Sequence, residues 1–229
     1  MKLIAVFAFS MAAMSAFGQQ SDSDKIARIK KDLAEIADLE ASLLAPPPDI
    51  TSKYAEFLKT PETGIVKLFR RGTRRDVMGP RMDGGAYYSF VRRSHEYGQG
   101  NDIELDEGGL FKVGFAGADY GFFISLGRGE IESIPQESQN PPAWLTASAR
   151  KAWESAWSYR TPTSIEEFRK EARAAENHIL PRDGVVYLLR SIAPRRSDVL
   201  VAFKVEKTLD DSVVIVWRLL NNWPTPEIR

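Results

Sequence analysis

The sequence predicts an α+β fold: a largely antiparallel sheet, or two packed sheets, with a helical pair, preceded by an N-terminal amphipathic helix. Three observations predict it. Twelve of the sixteen glycines fall between Gly79 and Gly129, too dense for helices and suited to repeated tight turns. Three nearly continuous apolar runs rich in β-branched residues lie between Val185 and Leu220, as strands buried on both faces require. Residues 21–45 and 143–179 instead repeat their apolar residues at steps of three and four, the helical period.

Lys2, the apolar run Leu3 to Met14, and Ala16-Phe17-Gly18 before Gln19 have the order of a secretory signal peptide over residues 1–18. The run is shorter than the roughly 20 residues a membrane span needs, which favours a cleaved leader over the alternative, an uncleaved anchor. The expected location is secreted or periplasmic, with no transmembrane segment in the mature chain. A chain of 229 residues with no Cys fits the bacterial periplasm or exterior better than a disulfide-bearing eukaryotic extracellular domain.

Ser21 with Asp24 is a capping-box pattern, and it opens a helix in which Ile26, Ile29, Leu33, Ile36, Leu39 and Leu43 form one stripe. Heptad phase holds from Ile26 to Ile36 and slips where Glu40 takes an apolar place. The stripe is read as coiled-coil-like, serving self-association or a partner protein, with packing onto its own domain as the other use. Pro46-Pro47-Pro48 stops the helix, so residues 46–50 read as a Pro-rich linker to a single body over 51–229.

In that body a short helix is expected over Ser52 to Lys59. The β-rich part, 64–134, holds candidate strands Gly64–Arg70, Ala86–Arg92, Asp102–Leu105, Leu110–Phe115, Tyr120–Leu126 and Glu130–Ile134. Asp106 to Gly109 and Phe115 to Tyr120 read as hairpin connections; gaps this short exclude parallel crossovers. The helical pair covers Ala143–Ser158 and Thr163–Asn177, the second capped by Thr163 with Glu166 and ending at His178. Strands Val185–Ile192, Asp198–Glu206 and Ser212–Leu220 close the chain as a meander central to the sheet.

Composition narrows the function. Thirty-one Lys+Arg balance thirty-one Asp+Glu, which argues against a nucleic-acid binder driven by global charge. Without Cys there are no thiol nucleophiles or thiolate metal sites, and with only His95 and His178 there is no HExxH helix or three-histidine zinc site. No GxSxG elbow or GxxxxGK[ST] loop occurs, and the glycines 114, 117 and 121 lie in a hairpin rather than a strand-to-helix turn. No metal, cofactor or catalytic residue is assigned.

Two local features stand out. Lys67, Arg70, Arg71, Arg74, Arg75, Arg81, Arg92 and Arg93 crowd residues 64–93, while Glu96, Asp102, Glu104, Asp106 and Glu107 crowd 96–111, so the two clusters are expected to pair across neighbouring strands. The alternation of Asp102, Glu104 and Asp106 with Ile103 and Leu105 predicts acids facing water; a calcium loop is the weaker reading, since its glycine is displaced and no closing Glu follows. The loop His95 to Asn101 gathers an imidazole, a carboxylate, a phenol and amides on a glycine-rich backbone. Arg92, Arg93, His95, Tyr97, Asn101 and Asp102 are therefore the candidate residues for a small polar or glycan ligand.

The expected function is a non-enzymatic exported protein, a binding or interaction module with a helical association arm. The alternative is an exported glycan hydrolase using two carboxylates drawn from Glu96, Asp102, Glu104 and Asp106, since glycosidases need neither Cys nor His.

Overall fold

The computed structural model describes residues 21–227 apart from 75, 77, 79–82, 99, 115–118, 137–138 and 175–176. The leader reading of residues 1–18, Arg75, Arg81 and the middle of the Phe115–Tyr120 connection lie outside the described residues. The chain divides after Leu43 into two compact units.

The first unit is helical: α1 runs Asp22–Leu44. Its start is fixed by Ser21, whose Oγ accepts from the Asp24 N–H at 3.1 Å and donates to the Asp24 carboxylate at 2.7 Å. None of its residues is buried.

The second unit is α+β. In chain order it comprises α2 (Pro48–Lys53), a 3₁₀ turn (Phe57–Lys59), β1 (Thr63–Phe69), β2 (Tyr87–Tyr88), β3 (Ile103–Leu105), β4 (Phe111–Lys112) and β5 (Tyr120–Arg128). Then come a 3₁₀ turn (Ile131–Ser133), α3 (Ala147–Ser158), α4 (Ile165–Ala174), β6 (His178–Ile179), β7 (Val185–Ala193), β8 (Ser197–Thr208) and β9 (Ser212–Asn222). Two antiparallel sheets result, a five-stranded one ordered β1-β9-β8-β7-β5 and a four-stranded one ordered β2-β3-β4-β6.

Because side chains alternate along a strand, the three closing strands present two different apolar faces. On one face Val201, Phe203, Ile215 and Trp217 meet Ile103, Leu105 and Phe111 of the small sheet. On the other, Leu188, Leu200, Ala202, Val214 and Val216 lie under Trp153 and Ala149 of α3, with Tyr54, Ile131 and Ile134. The large sheet is thus a middle layer, and β9, β8 and β7 are its central strands. Four charged residues are buried in it. Arg190 pairs with Asp198 at 2.6 Å beneath the Trp223 ring, Lys204 reaches Glu130 at 2.7 Å, and the Arg218 guanidinium donates to the Ile134 carbonyl. Two of these bonds tie residues 130–134 down, where a carbonyl and a carboxylate answer buried cations.

Several elements differ from the sequence reading, each for a local reason. Pro48 to Ile50 form the first turn of α2, where proline's fixed φ suits a helix start, and the chain then turns into a separate 3₁₀ segment instead of one helix to Lys59. Glu130–Ile134 is a 3₁₀ turn and not a strand; Ile131 and Ile134, three apart, share one side of it and both are buried. The strand expected over Ala86–Arg92 is only Tyr87–Tyr88, since the chain turns back at once and Ser89 bridges Ser94, with Arg93 at φ 52°. The second helix of the pair is capped one residue later, by the Ser164 hydroxyl accepting from the Glu167 N–H. Its described span is Ile165–Ala174, and His178 and Ile179 belong to β6 and not to a helix end.

Candidate functional site

The small sheet has one face on the core and one outward, and its register decides which residues share the outward face. Tyr88 pairs with Ile103, and Leu105 with Phe111 and onward to Ile179; these are the core-facing positions. The alternate positions therefore line up on the other side. Tyr87 is opposite Glu104, Glu104 opposite Lys112, and Lys112 opposite His178, one continuous row across all four strands. With Arg71, Tyr97, Asp106, Leu110, Val113 and Asn177 this row lines a concave surface of about 640 Å³.

The groups in the row are held in place by one another. Arg71 Nε lies 3.2 Å from the Glu104 carboxylate and 3.4 Å from that of Glu107, and the Tyr87 hydroxyl donates to Glu104 at 3.4 Å. The Tyr97 ring sits 4.7 Å from that of Tyr87, tilted by 47°, and is half exposed. Asp106 accepts from Lys112 Nζ at 2.9 Å and from the Leu110 N–H at 2.8 Å, which closes the β3–β4 turn while steering the ammonium into the row.

These surroundings move the titrations apart. Burial raises the Glu104 carboxyl above its ordinary range, and Arg71 and Lys112 only partly oppose this. Burial would raise Asp106 too, but the Lys112 hydrogen bond and the Leu110 and Gly108 N–H groups together hold it below the ordinary range. Desolvation, reinforced by the Glu104 charge, pushes the Tyr87 phenol up to about 12, so it remains a donor at neutral pH.

Of the six candidate ligand residues read from the loop, the groove takes Tyr97. Arg92 and Arg93 sit on the turn after Phe90, where the Arg93 guanidinium covers the Trp217 ring at 5.4 Å and lies 3.8 Å from Glu62. His95 is buried beside Tyr88, ring centroids 5.1 Å apart; desolvation lowers its imidazole to about 4, although the backbone of Tyr87 and Gly85 supports the charged form. Asn101 staples the loop, donating to the Glu96 carbonyl and accepting from the Gly98 N–H, both at 3.0 Å.

Asp102 is fully buried. It accepts from the Phe90 N–H and the Ser191 hydroxyl, each at 2.8 Å. Glu104 and Asp106 are buried too, so the acids do not alternate into water as their spacing suggested: the basic residues Arg71 and Lys112 cover them. The expected pairing of the two charge clusters is seen at Arg71 with Glu104 and Glu107, whereas Arg74 turns to Asp211 at 2.6 Å.

The loop 89–102 thus acts as a frame that presents one tyrosine. Tyr87, Lys112, Asn177 and His178 had no sequence signal pointing to a shared site, because they come from three separated segments and only the strand register aligns them. Among the described residues no helix is long and apolar enough to cross a membrane. No family model, curated protein or solved structure matches the chain.

Proposed function

We propose that this chain is an exported, non-enzymatic binding protein whose body takes a small polar ligand, a sugar or short glycan, along the outer row of the small sheet. The observation that carries the reading is the row itself: Tyr97 and Tyr87 offer ring faces and edges, and Glu104, Lys112, Arg71 and Asn177 offer a fixed alternation of acceptors and donors beside them. Sugars present that combination, apolar C–H faces ringed by hydroxyls. Each carboxylate in the row has a cation beside it, which suits holding a ligand better than transferring a proton to it. Export rests on the leader-like residues 1–18. The stripe Ile26, Ile29, Leu33, Ile36, Leu39 and Leu43 of α1 would serve as the association arm.

The test is titration of the purified chain with a panel of neutral and acidic oligosaccharides, followed by calorimetry and by NMR shifts. Saturable binding that Tyr97→Ala weakens at least tenfold, with an unchanged melting temperature, is the expected result. No binding at millimolar sugar overturns the reading.

A hydrolase is the second reading, favoured by the opposed titrations of Glu104 in β3, an acid held protonated to higher pH, and Asp106 just after it, a base held ionised to lower pH. Release of reducing ends from the same panel, lost in Glu104→Gln, would replace binding with catalysis.

A further inference from the structure

The charges of α1 are divided along its length. Residues 25–31 carry Lys25, Arg28, Lys30 and Lys31 with no acid, and residues 32–40 carry Asp32, Glu35, Asp38 and Glu40 with no base. Apart from Asp22 and Asp24 in the first turn, this runs against the helix dipole, and the last turn holds no cation. Within the helix the cations also precede the anions, the weaker order for pairs one turn apart; Lys31 and Glu35 meet at 3.6 Å with both side chains well exposed. On the same helix Ile26, Ile29, Leu33, Ile36 and Leu39 are each about half exposed or more, from 49% at Ile36 to 64% at Leu39. An isolated helix gains nothing from either feature.

We propose that α1 associates with a second copy of this chain in antiparallel orientation. This rests on the reading of α1 as an association arm and adds the partner and its direction. An antiparallel pair lays the basic segment of each copy along the acidic segment of the other and opposes the two dipoles, so the division that costs a lone helix stabilises the pair. Layers follow from the stripe: Ile26 faces Leu43 of the second copy and Leu33 faces Ile36, both apolar, while Ile29 faces Glu40. Glu40, the residue that breaks the heptad, then lies beside the other copy's basic segment. A parallel pair instead sets Glu40 against Glu40 at a central position and each charge cluster against itself, which is repulsive along the whole length. The surface pairs contribute little affinity each; they choose the orientation, and the stripe supplies the association.

The chain has no Cys, so disulfide trapping reads the orientation without background. Ile26→Cys and Leu43→Cys are purified separately as full chains, mixed reduced, and oxidised with a glutathione couple; products are identified by mass spectrometry. Ala27→Cys, on the polar face, is the control, and light scattering of the unsubstituted chain measures its mass. The mixed 26–43 disulfide forming at least fivefold over either self-disulfide is the expected result, together with a dimer mass. Predominance of the Ile26→Cys self-disulfide overturns the orientation and leaves self-association standing. A monomer mass with no cross-linking above the Ala27→Cys control overturns both.

Discussion

The Ser191 hydroxyl donates to the Asp102 carboxylate at 2.8 Å, joining residues 89 positions apart. One belongs to β7 of the large sheet and the other immediately precedes β3 of the small one, so this bond stitches the two sheets at the edge of their shared core. The second Asp102 oxygen accepts from the Phe90 N–H, which fixes the turn that carries Tyr97 toward the groove.

That carboxylate is fully buried with no cation among the causes of its shift, and desolvation raises it to about 6, only partly opposed by Phe90, Ser191 and Ser89. A carboxyl raised in the folded state stabilises folding below its unfolded value, near 4, and loses that contribution as pH rises through 6. Asp102→Asn is uncharged throughout and keeps an oxygen for the Phe90 N–H. The variant is expected to match the parent at pH 4 and to exceed it by up to about 3 kcal/mol at pH 7. Urea midpoints across that range measure the difference; a gap that stays constant with pH contradicts the assignment.

His95 works in the opposite sense. Its imidazole is lowered to about 4, so its contribution is present above its unfolded value near 6.5 and is lost as pH falls through 4. The parent chain's stability between pH 4 and 6 is therefore flatter than either group alone would make it. His95→Phe should remove the loss on the acid side, and a parent and variant with identical acid midpoints would show that burial of His95 does not govern it.

Gly64 on β1 is there for space. A Cβ at this position would lie 2.5 Å from the Trp217 ring, and that ring is buried and packed by Phe90 at 5.3 Å, so it has nowhere to go. Gly64→Ala should destabilise by about 1–3 kcal/mol through overpacking, visible as a lowered melting temperature and a changed tryptophan emission. Unchanged stability would mean that β1 shifts freely on β9.

The Arg190–Asp198 pair has both side chains almost wholly out of water. Asp198→Ala strands a buried guanidinium and should cost about 3–5 kcal/mol, whereas replacing both residues by apolar ones should recover most of the loss. A double-mutant cycle by urea denaturation separates the two outcomes; additive single effects would argue against the pair as a coupled unit.

Much of the fold can be read one strand at a time. Val-Val-Tyr-Leu-Leu at 185, Val-Leu-Val-Ala-Phe at 199 and Val-Val-Ile-Val-Trp at 213 have no polar face to show to water, and this places them at the centre of a covered sheet. Ile131 and Ile134 were less legible, because two apolar residues in a short acidic segment fit a strand or a turn equally well. The site was harder still. Tyr97 could be picked out from loop chemistry, but Glu104 and Asp106 alternate as exposed acids do, and nothing in the chain says that Arg71 and Lys112 come to cover them.

Periodicity, prolines and glycines determined the α+β class, the three central strands and the presence of the helices, because these follow from the conformations single residues and their near neighbours allow. The tertiary structure alone decided that Tyr87, Glu104, Lys112 and His178 stand in one row and that Asp102 meets Ser191. Strand register is settled by which apolar faces pack against each other, and that is a competition among distant segments that local sequence does not record.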